Sequence, residues 1–188
     1  MRTWQFPAES SNYNENGSQP ATNAQGGNGC SSYHRDMLRR ATLDDLRTVA
    51  TWVSSARECE LWAGWRVRFP IELDLLASTI DFAHQGGFVM VEGHALVAFG
   101  QIVPKARRRA HLARLIVAPA IRGRGVGARL VTALLDRTRQ SGHAMASLNV
   151  DPANATAIHL YEKLGFRDAS RPEDEPDPQG SRYMQIGL

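Results

Sequence analysis

The sequence predicts a mixed α/β domain with a central, mostly antiparallel sheet, one parallel strand pair and flanking helices. Three observations predict it. The apolar runs Phe88 to Val91, Ala95 to Val103 and His111 to Val117 follow one another through turn-forming residues, as in an antiparallel meander. After Val117 the pattern changes to helix, strand, helix, and parallel pairing is expected only across the glycine-rich unit that begins there. Val126, Leu130, Val131, Leu134 and Leu135 recur at helical spacing up to Ser141 and Gly142, which marks the longest helix.

Taken in order, Met37 to Arg40 reads as a short strand. Thr42 followed by Asp45 forms a capping-box signature, and Leu43, Leu46, Val49 and Val53 supply the apolar stripe of the helix it opens. The Trp-rich stretch from Glu58 to Phe69 has no clear period. Pro70 suits a first helical position, with Leu73, Leu76 and Ile80 at helical spacing behind it. Glu92, Gly93 and His94 turn a hairpin, and Pro104 with Arg107 to Arg109 lies in the next turn. Ala144 to Val150 reads as a strand, Asn154 to Leu164 as a helix stopped by Gly165, and Phe166 to Ala169 with Arg182 to Leu188 as a final strand pair. A polar, acidic loop with Pro172, Pro176 and Pro178 separates that pair.

Composition narrows the class. Residues 1–36 contain no Val, Ile or Leu, and Asn, Ser, Gly and Gln fill Ser10 to Ser32, so this stretch cannot bury enough apolar surface to offset its ordering entropy. It is expected to be a disordered polar leader, with the folded domain at 37–188. Trp4 and Phe6 do not make the apolar core of a secretory signal. No apolar run approaches the ~18 residues of a membrane span. Cys30 and Cys59 suffice neither for a disulfide framework nor for a four-ligand zinc site, so no metal and a cytoplasmic location are expected. The net charge of +3 is only mildly basic and does not by itself imply nucleic acid.

The most informative stretch is Arg122, Gly123, Arg124, Gly125, Val126, Gly127, between a predicted strand and a predicted helix. Glycines let the backbone approach an anion closely, and a helix N-terminus turns free N–H groups toward it. A P-loop is excluded because no Gly-Lys-Ser/Thr end follows, and the spacing is not G-x-G-x-x-G. On these residues alone a merely tight turn stays open.

Arg122, Gly125 and Gly127, with Leu115, Ile116, Val117 and Pro119 upstream and Asn154, Ala157, Tyr161, Leu164, Gly165 and Phe166 downstream, resemble the GNAT superfamily of acyl-CoA-dependent N-acyltransferases. The motif resemblance runs from about His111 to Phe166. It implies that the strands at Leu115 to Val117 and Ser147 to Val150 splay apart, and that backbone groups of Leu115, Ile116 and Val117 hold the pantetheine arm of acetyl-CoA. It also implies that N–H groups from Gly123, Arg124, Gly125, Val126, Gly127 and Ala128 hold the pyrophosphate, with charge from Arg122 and Arg124. Asn154 would contact the pantetheine amides, although an N-cap role alone accounts for it. Tyr161 occupies the general-acid position of the family; without the resemblance it reads as core.

The base that frees the amine is not identified. Asn149 stands where relatives acting on ribosomal-protein N-termini carry a glutamate, and it cannot ionise. His111 is the first candidate by strand position, ahead of Glu60, Glu92 and an ordered water chain. Eight Lys or Arg and no acid lie from Lys105 to Arg129, which suits either a funnel for a polyanion or a solvated hairpin tip. Trp62, Trp65 and Phe69 line an acceptor pocket or the core under a loop.

The expected activity is transfer of an acetyl group from acetyl-CoA to a primary amine, small molecule or peptide, in a ternary complex. Neither cysteine is placed to carry the acyl group. The alternatives are a weakly catalytic acyl-CoA sensor and a protein N-terminal acetyltransferase. A homodimer stays open; neither membrane nor nucleic acid is expected as a partner.

Overall fold

The computed structural model describes residues 37–64, 66–173, 175 and 180–188. The expectations placed on residues 1–36, Trp65, Pro176 and Pro178 lie outside these. The strands are β1 (Met37–Arg40), β2 (Phe88–Glu92), β3 (Ala95–Lys105), β4 (Arg109–Val117), β5 (Met145–Val150), β6 (Arg167–Asp168) and β7 (Arg182–Gly187). The helices are α1 (Leu43–Ala50), α2 (Ala56–Ala63), α3 (Leu73–Thr79), α4 (Phe82–Gln85), α5 (Val126–Gln140) and α6 (Ala155–Lys163). One seven-stranded sheet runs in the order β1-β2-β3-β4-β5-β7-β6. The meander β2-β3-β4 is antiparallel, and β4 pairs parallel with β5 across the helix α5.

Alternate residues of β2 sort the core onto the two sheet faces: Phe88 and Met90 join α5 and α6, whereas Val89 and Val91 join α1 to α4. The capping box at α1 is present in full. The Thr42 hydroxyl accepts from the Asp45 N–H, and the Asp45 carboxylate accepts from the Thr42 N–H. Arg39 adds two donors to that carboxylate, at 2.6 and 2.8 Å, and together they hold the Asp45 carboxyl down at about 2.

Two expectations are corrected, and one stretch without a clear period is resolved. Pro70 is not at a first helical position: Glu72 is the N-cap of α3, which starts at Leu73. The Trp-rich stretch is helical in its first part, because Ser55 caps α2 by accepting from the Glu58 N–H at 3.2 Å. Strand β4 begins at Arg109, two residues before His111, because Arg109 already pairs with Lys105 of β3 and Met145 of β5, while its side chain lies inward against Glu175 at 3.3 Å.

Strand β4 carries a bulge. Its pairing with β3 passes from Gln101↔Ala113 to Phe99↔Ile116, so Arg114 and Leu115 together face Gly100. Gly100 lets the strands and α5 approach there, since a Cβ would meet Leu115 and Leu134 methyl carbons at 2.7 and 2.8 Å and displace them. Arg114 takes φ +55°, a left-handed conformation costly for a non-glycine residue.

Candidate functional site

The parallel ladder of β4 and β5 runs from Arg109↔Met145 to Leu112↔Leu148 and stops there, although both strands continue. Where pairing stops, a cleft of about 720 Å³ opens. Leu115, Asn149, Asn154 and Tyr161 line one part of it, and Trp62, Lys105, His111 and Arg114 another. Side-chain Ile116 points to the α1–α4 core, while Val117 packs on the other face.

Beyond Val117 the chain makes the short turn that contains Gly123 and Gly125, at φ +79° and +78°. A Cβ at either would meet nothing within 4 Å, so the left-handed backbone rather than lack of space calls for glycine. Gly125 is the N-cap of α5 and supplies no side-chain acceptor, which leaves the first N–H groups of a 15-residue helix for an external partner. Val126 is buried, and Gly127 lies against Leu160 and Val117. The turn fits a polyanion, and the interrupted ladder fits an extended ligand bearing amides.

Arg122 is turned back from this turn. Its Nε donates to the Val117 carbonyl and its Nη1 to Glu58 Oε1, both at 3.2 Å. Ser54 donates its N–H and hydroxyl to the same carboxylate, and these bonds together hold the Glu58 carboxyl at about 2. Arg124 is exposed, and its carbonyl accepts from Arg129. Arg129 pairs with Glu92, which places Glu92 outside the cleft lining. The basic run is thus divided: Lys105 and Arg114 line the cleft, Arg122, Arg124 and Arg129 surround the turn, and Arg107 and Arg108 form the hairpin tip.

His111 sits in a polar wall. Asn149 Oδ1 accepts from Arg171, so its amide nitrogen faces His111 Nε2 as a donor, at 3.4 Å. The remaining proton is therefore on Nδ1, directed to Ser147 Oγ at 3.0 Å, and Ser147 donates on to the Ala110 carbonyl. The ring stacks on Tyr183, with centroids 6.4 Å apart. Burial, with Lys105, Arg171 and Arg114 nearby, pushes His111 down to about 3, so it is neutral at physiological pH.

Tyr161 is buried, packs edge-on against Phe166 at 5.9 Å and lines the cleft; burial raises its phenol to about 12. Asn154 caps α6 by accepting from the Ala157 N–H at 3.1 Å. Trp62 lines the cleft and donates its indole N–H to the Arg114 carbonyl at 2.9 Å, whereas Phe69 is exposed and is not among the lining residues. Glu60 is at the cleft and pairs with Arg57.

Sequence reasoning missed three contributors. Arg57 pairs with Asp151 at 2.6 Å and so ties α2 to the end of β5. Gln101 is fully buried and accepts from Arg114 Nη1 at 2.8 Å. Arg171 holds Asn149. A glutamine beside a glycine inside the apolar run of β3 was the one available signal; the other two contacts join distant parts of the chain. Among the described residues no group of His, Cys, Asp and Glu is placed to hold a metal, and no helix is long and apolar enough to cross a membrane.

Comparison with known proteins gives a family and a likeness of fold. A family model described as the acetyltransferase (GNAT) family matches residues 52–166. The mycothiol acetyltransferase of Streptosporangium roseum is 50% identical over 50 residues, which are 27% of this chain and 15% of that protein. The ribosomal protein bS18-alanine N-acetyltransferase of Escherichia coli K12 is 34% identical over 83 residues, 44% of this chain and 55% of that one. The chain thus spans only part of the length of these relatives. The crystal structure of spermidine N-acetyltransferase from Vibrio cholerae in complex with CoA and spermine superposes with a TM-score of 0.65 at 23% identity, covering 81% of this chain and 95% of the other, and is a likeness of fold.

Proposed function

The chain belongs to the acetyltransferase (GNAT) family, and we propose that residues 37–188 transfer an acetyl group from acetyl-CoA to a primary amine by direct attack in a ternary complex. The observation that carries this reading is the end of β4–β5 pairing at Leu112↔Leu148, in line with a turn whose helix has no side-chain cap. Backbone groups of Leu115 to Val117 and the Asn154 side chain would hold the amide-bearing arm of the donor. The N–H groups from Gly123 to Ala128 would hold its pyrophosphate, with Arg124 alongside and Arg122 recruited from Glu58.

When bound, acetyl-CoA supplies a thioester carbonyl. The amine nitrogen forms a bond to that carbon while the carbonyl electrons move to oxygen; their return expels the thiolate and leaves the amide. Tyr161 stays protonated at all working pH values and donates its proton to the departing sulfur. Desolvation raises the basicity of a thiolate leaving into this site as it raises that of the phenol, which keeps the transfer matched. The amine gives its own proton to water, and water returns one to the Tyr161 phenolate, so the products are the amide and the free thiol with the phenol restored.

His111 enters this scheme as a neutral wall, not as a titrating base. An imidazole whose conjugate acid lies near 3 is too weak a base to take the proton of an ammonium of ordinary pKa ~10. The same burial and positive field favour the neutral form of a bound amine, which lessens the need for a dedicated base. Cys59 supports the direct route, since its thiol is buried, raised by desolvation and directed to the Val67 carbonyl.

The test is binding followed by turnover. CoA should raise the melting temperature of the full chain, and Gly125→Glu should abolish the rise by filling the turn with an anion. A screen of amines and peptides with detection of released thiol should then find an acceptor. Binding of CoA without turnover of any acceptor would favour a sensor role.

A further inference from the structure

The acceptor part of the cleft contains a guanidinium that no carboxylate among the described residues neutralises. Arg114 is half-buried; its Nη1 donates to Gln101 Oε1, its Nε is buried with no hydrogen-bond partner, and it makes no ion pair among the described residues. Lys105, also half-buried at the cleft, makes no ion pair there either. Removing a cation from water without a counter-charge is costly, so such a group is kept where an anion arrives. The carboxylates on the same cleft are already engaged: Glu60 and Asp151 with Arg57, and Asp81 with His84 and Gln85.

Arg114 is also held in place with unusual thoroughness. Trp62 grips its carbonyl, Gln101 grips Nη1, and Gln101 is itself fixed by donating Nε2 to the carbonyls of Ile80 and Gly86. The bulge forces the residue into a left-handed conformation that glycine or asparagine would adopt more readily, yet an arginine stands there. With Nη1 engaged by Gln101 and Nε enclosed, Nη2 is the donor left for a charge-assisted bond to a carboxylate in the cleft.

We infer that the acceptor is an amine that also carries a carboxylate, and that Arg114 receives that carboxylate with Lys105 nearby and with Trp62 and Gln101 as positioning residues. This rests on the acetyltransferase reading above. It separates the chain from an acceptor with several amines and no anion, because such a ligand would meet Arg114 and Lys105 as like charges.

The test uses matched acceptors on the full chain: α-amino acids against their amides, 4-aminobutyrate against butylamine, and spermidine, each read as kcat/KM by thiol release. The carboxylated member of each pair should be favoured by about tenfold or more, the ordinary worth of a charge-assisted pair. Arg114→Gln should bring each ratio within about twofold of unity. If that variant does not fold, Gln101→Glu should do the same by placing a carboxylate against the guanidinium. Preference of the parent protein for amides, butylamine or spermidine would overturn the inference, as would an unchanged ratio in a folded variant. If CoA binds but no acceptor turns over, calorimetry of N-acetylalanine against N-acetylalaninamide on CoA-saturated protein decides: tighter binding of the carboxylate supports it, and parity or the reverse overturns it. Failure of CoA to raise the melting temperature would instead remove the acyl-CoA reading, and this inference with it.

Discussion

Glu58 Oε1 lies 3.2 Å from Nη1 of Arg122, so the first turn of α2 holds the guanidinium that leads into the glycine turn. A carboxylate at this point competes with any phosphate for the same cation. Glu58→Gln removes the competitor, and CoA should bind about two- to fivefold more tightly at low salt, with the gain shrinking as salt screens it. Arg122→Ala should weaken binding by about tenfold. Calorimetric titration of both variants checks this; weaker binding in Glu58→Gln would show that Glu58 orients Arg122 for the ligand.

Tyr161→Phe removes a phenol that lines the cleft while keeping the ring that packs on Phe166. Turnover should fall by about 10²-fold, the usual worth of a general acid, with the CoA dissociation constant changed less than about twofold. Equal loss of both would assign the residue to packing.

His111 should leave no mark on the pH–rate profile between pH 5 and 8. Its pKa of about 3 keeps it neutral throughout that range, so the rise in rate toward alkaline pH should track deprotonation of the acceptor amine. Measuring the profile with two acceptors of different amine pKa checks this: the inflection should move with the acceptor. A fixed inflection near 6.5 that vanishes in His111→Gln would restore the histidine as base.

Asp45 couples the α1 cap to Arg39, and its carboxyl lies at about 2 in the folded protein against an ordinary 3.8. A depressed carboxyl stabilises the fold above the unfolded value and loses that contribution as pH falls toward the folded one. Asp45→Asn should therefore cost about 1–2 kcal/mol at pH 7. The gap between parent and variant should close between about pH 4 and pH 2. Urea unfolding at several pH values measures it; a gap that stays constant with pH would mean the carboxylate charge is not involved.

These sites differ in how far the sequence reveals them. The glycine turn and the α1 capping box are legible because a few adjacent residues determine them. Tyr161 and Asn154 are placed by their spacing on a single helix, and the structure puts both on the cleft. Contacts between distant segments are not legible: Arg57 meets Asp151 across 94 residues and Glu58 meets Arg122 across 64, and no local pattern encodes either. The bulge at Arg114 hid for another reason. Alternation in β4 is broken midway, so residues 109–117 match no single strand period.

That break has an effect on how the molecule can change. Before the bulge the even-numbered Leu112 faces the α5 core; after it the even-numbered Ile116 faces the opposite core, and the odd-numbered Leu115 and Val117 take the α5 side. The strand is in effect two short strands set out of phase. His111 and Ala113 line the cleft ahead of the phase change and Leu115 after it, so a substitution at either of the first two leaves the facing of Leu115 to Val117 as it is. A one-residue deletion at the bulge would restore a single period through β4 with Leu115, Ile116 and Val117 still on their present faces, so it would remove the kink at Arg114 while sparing the core.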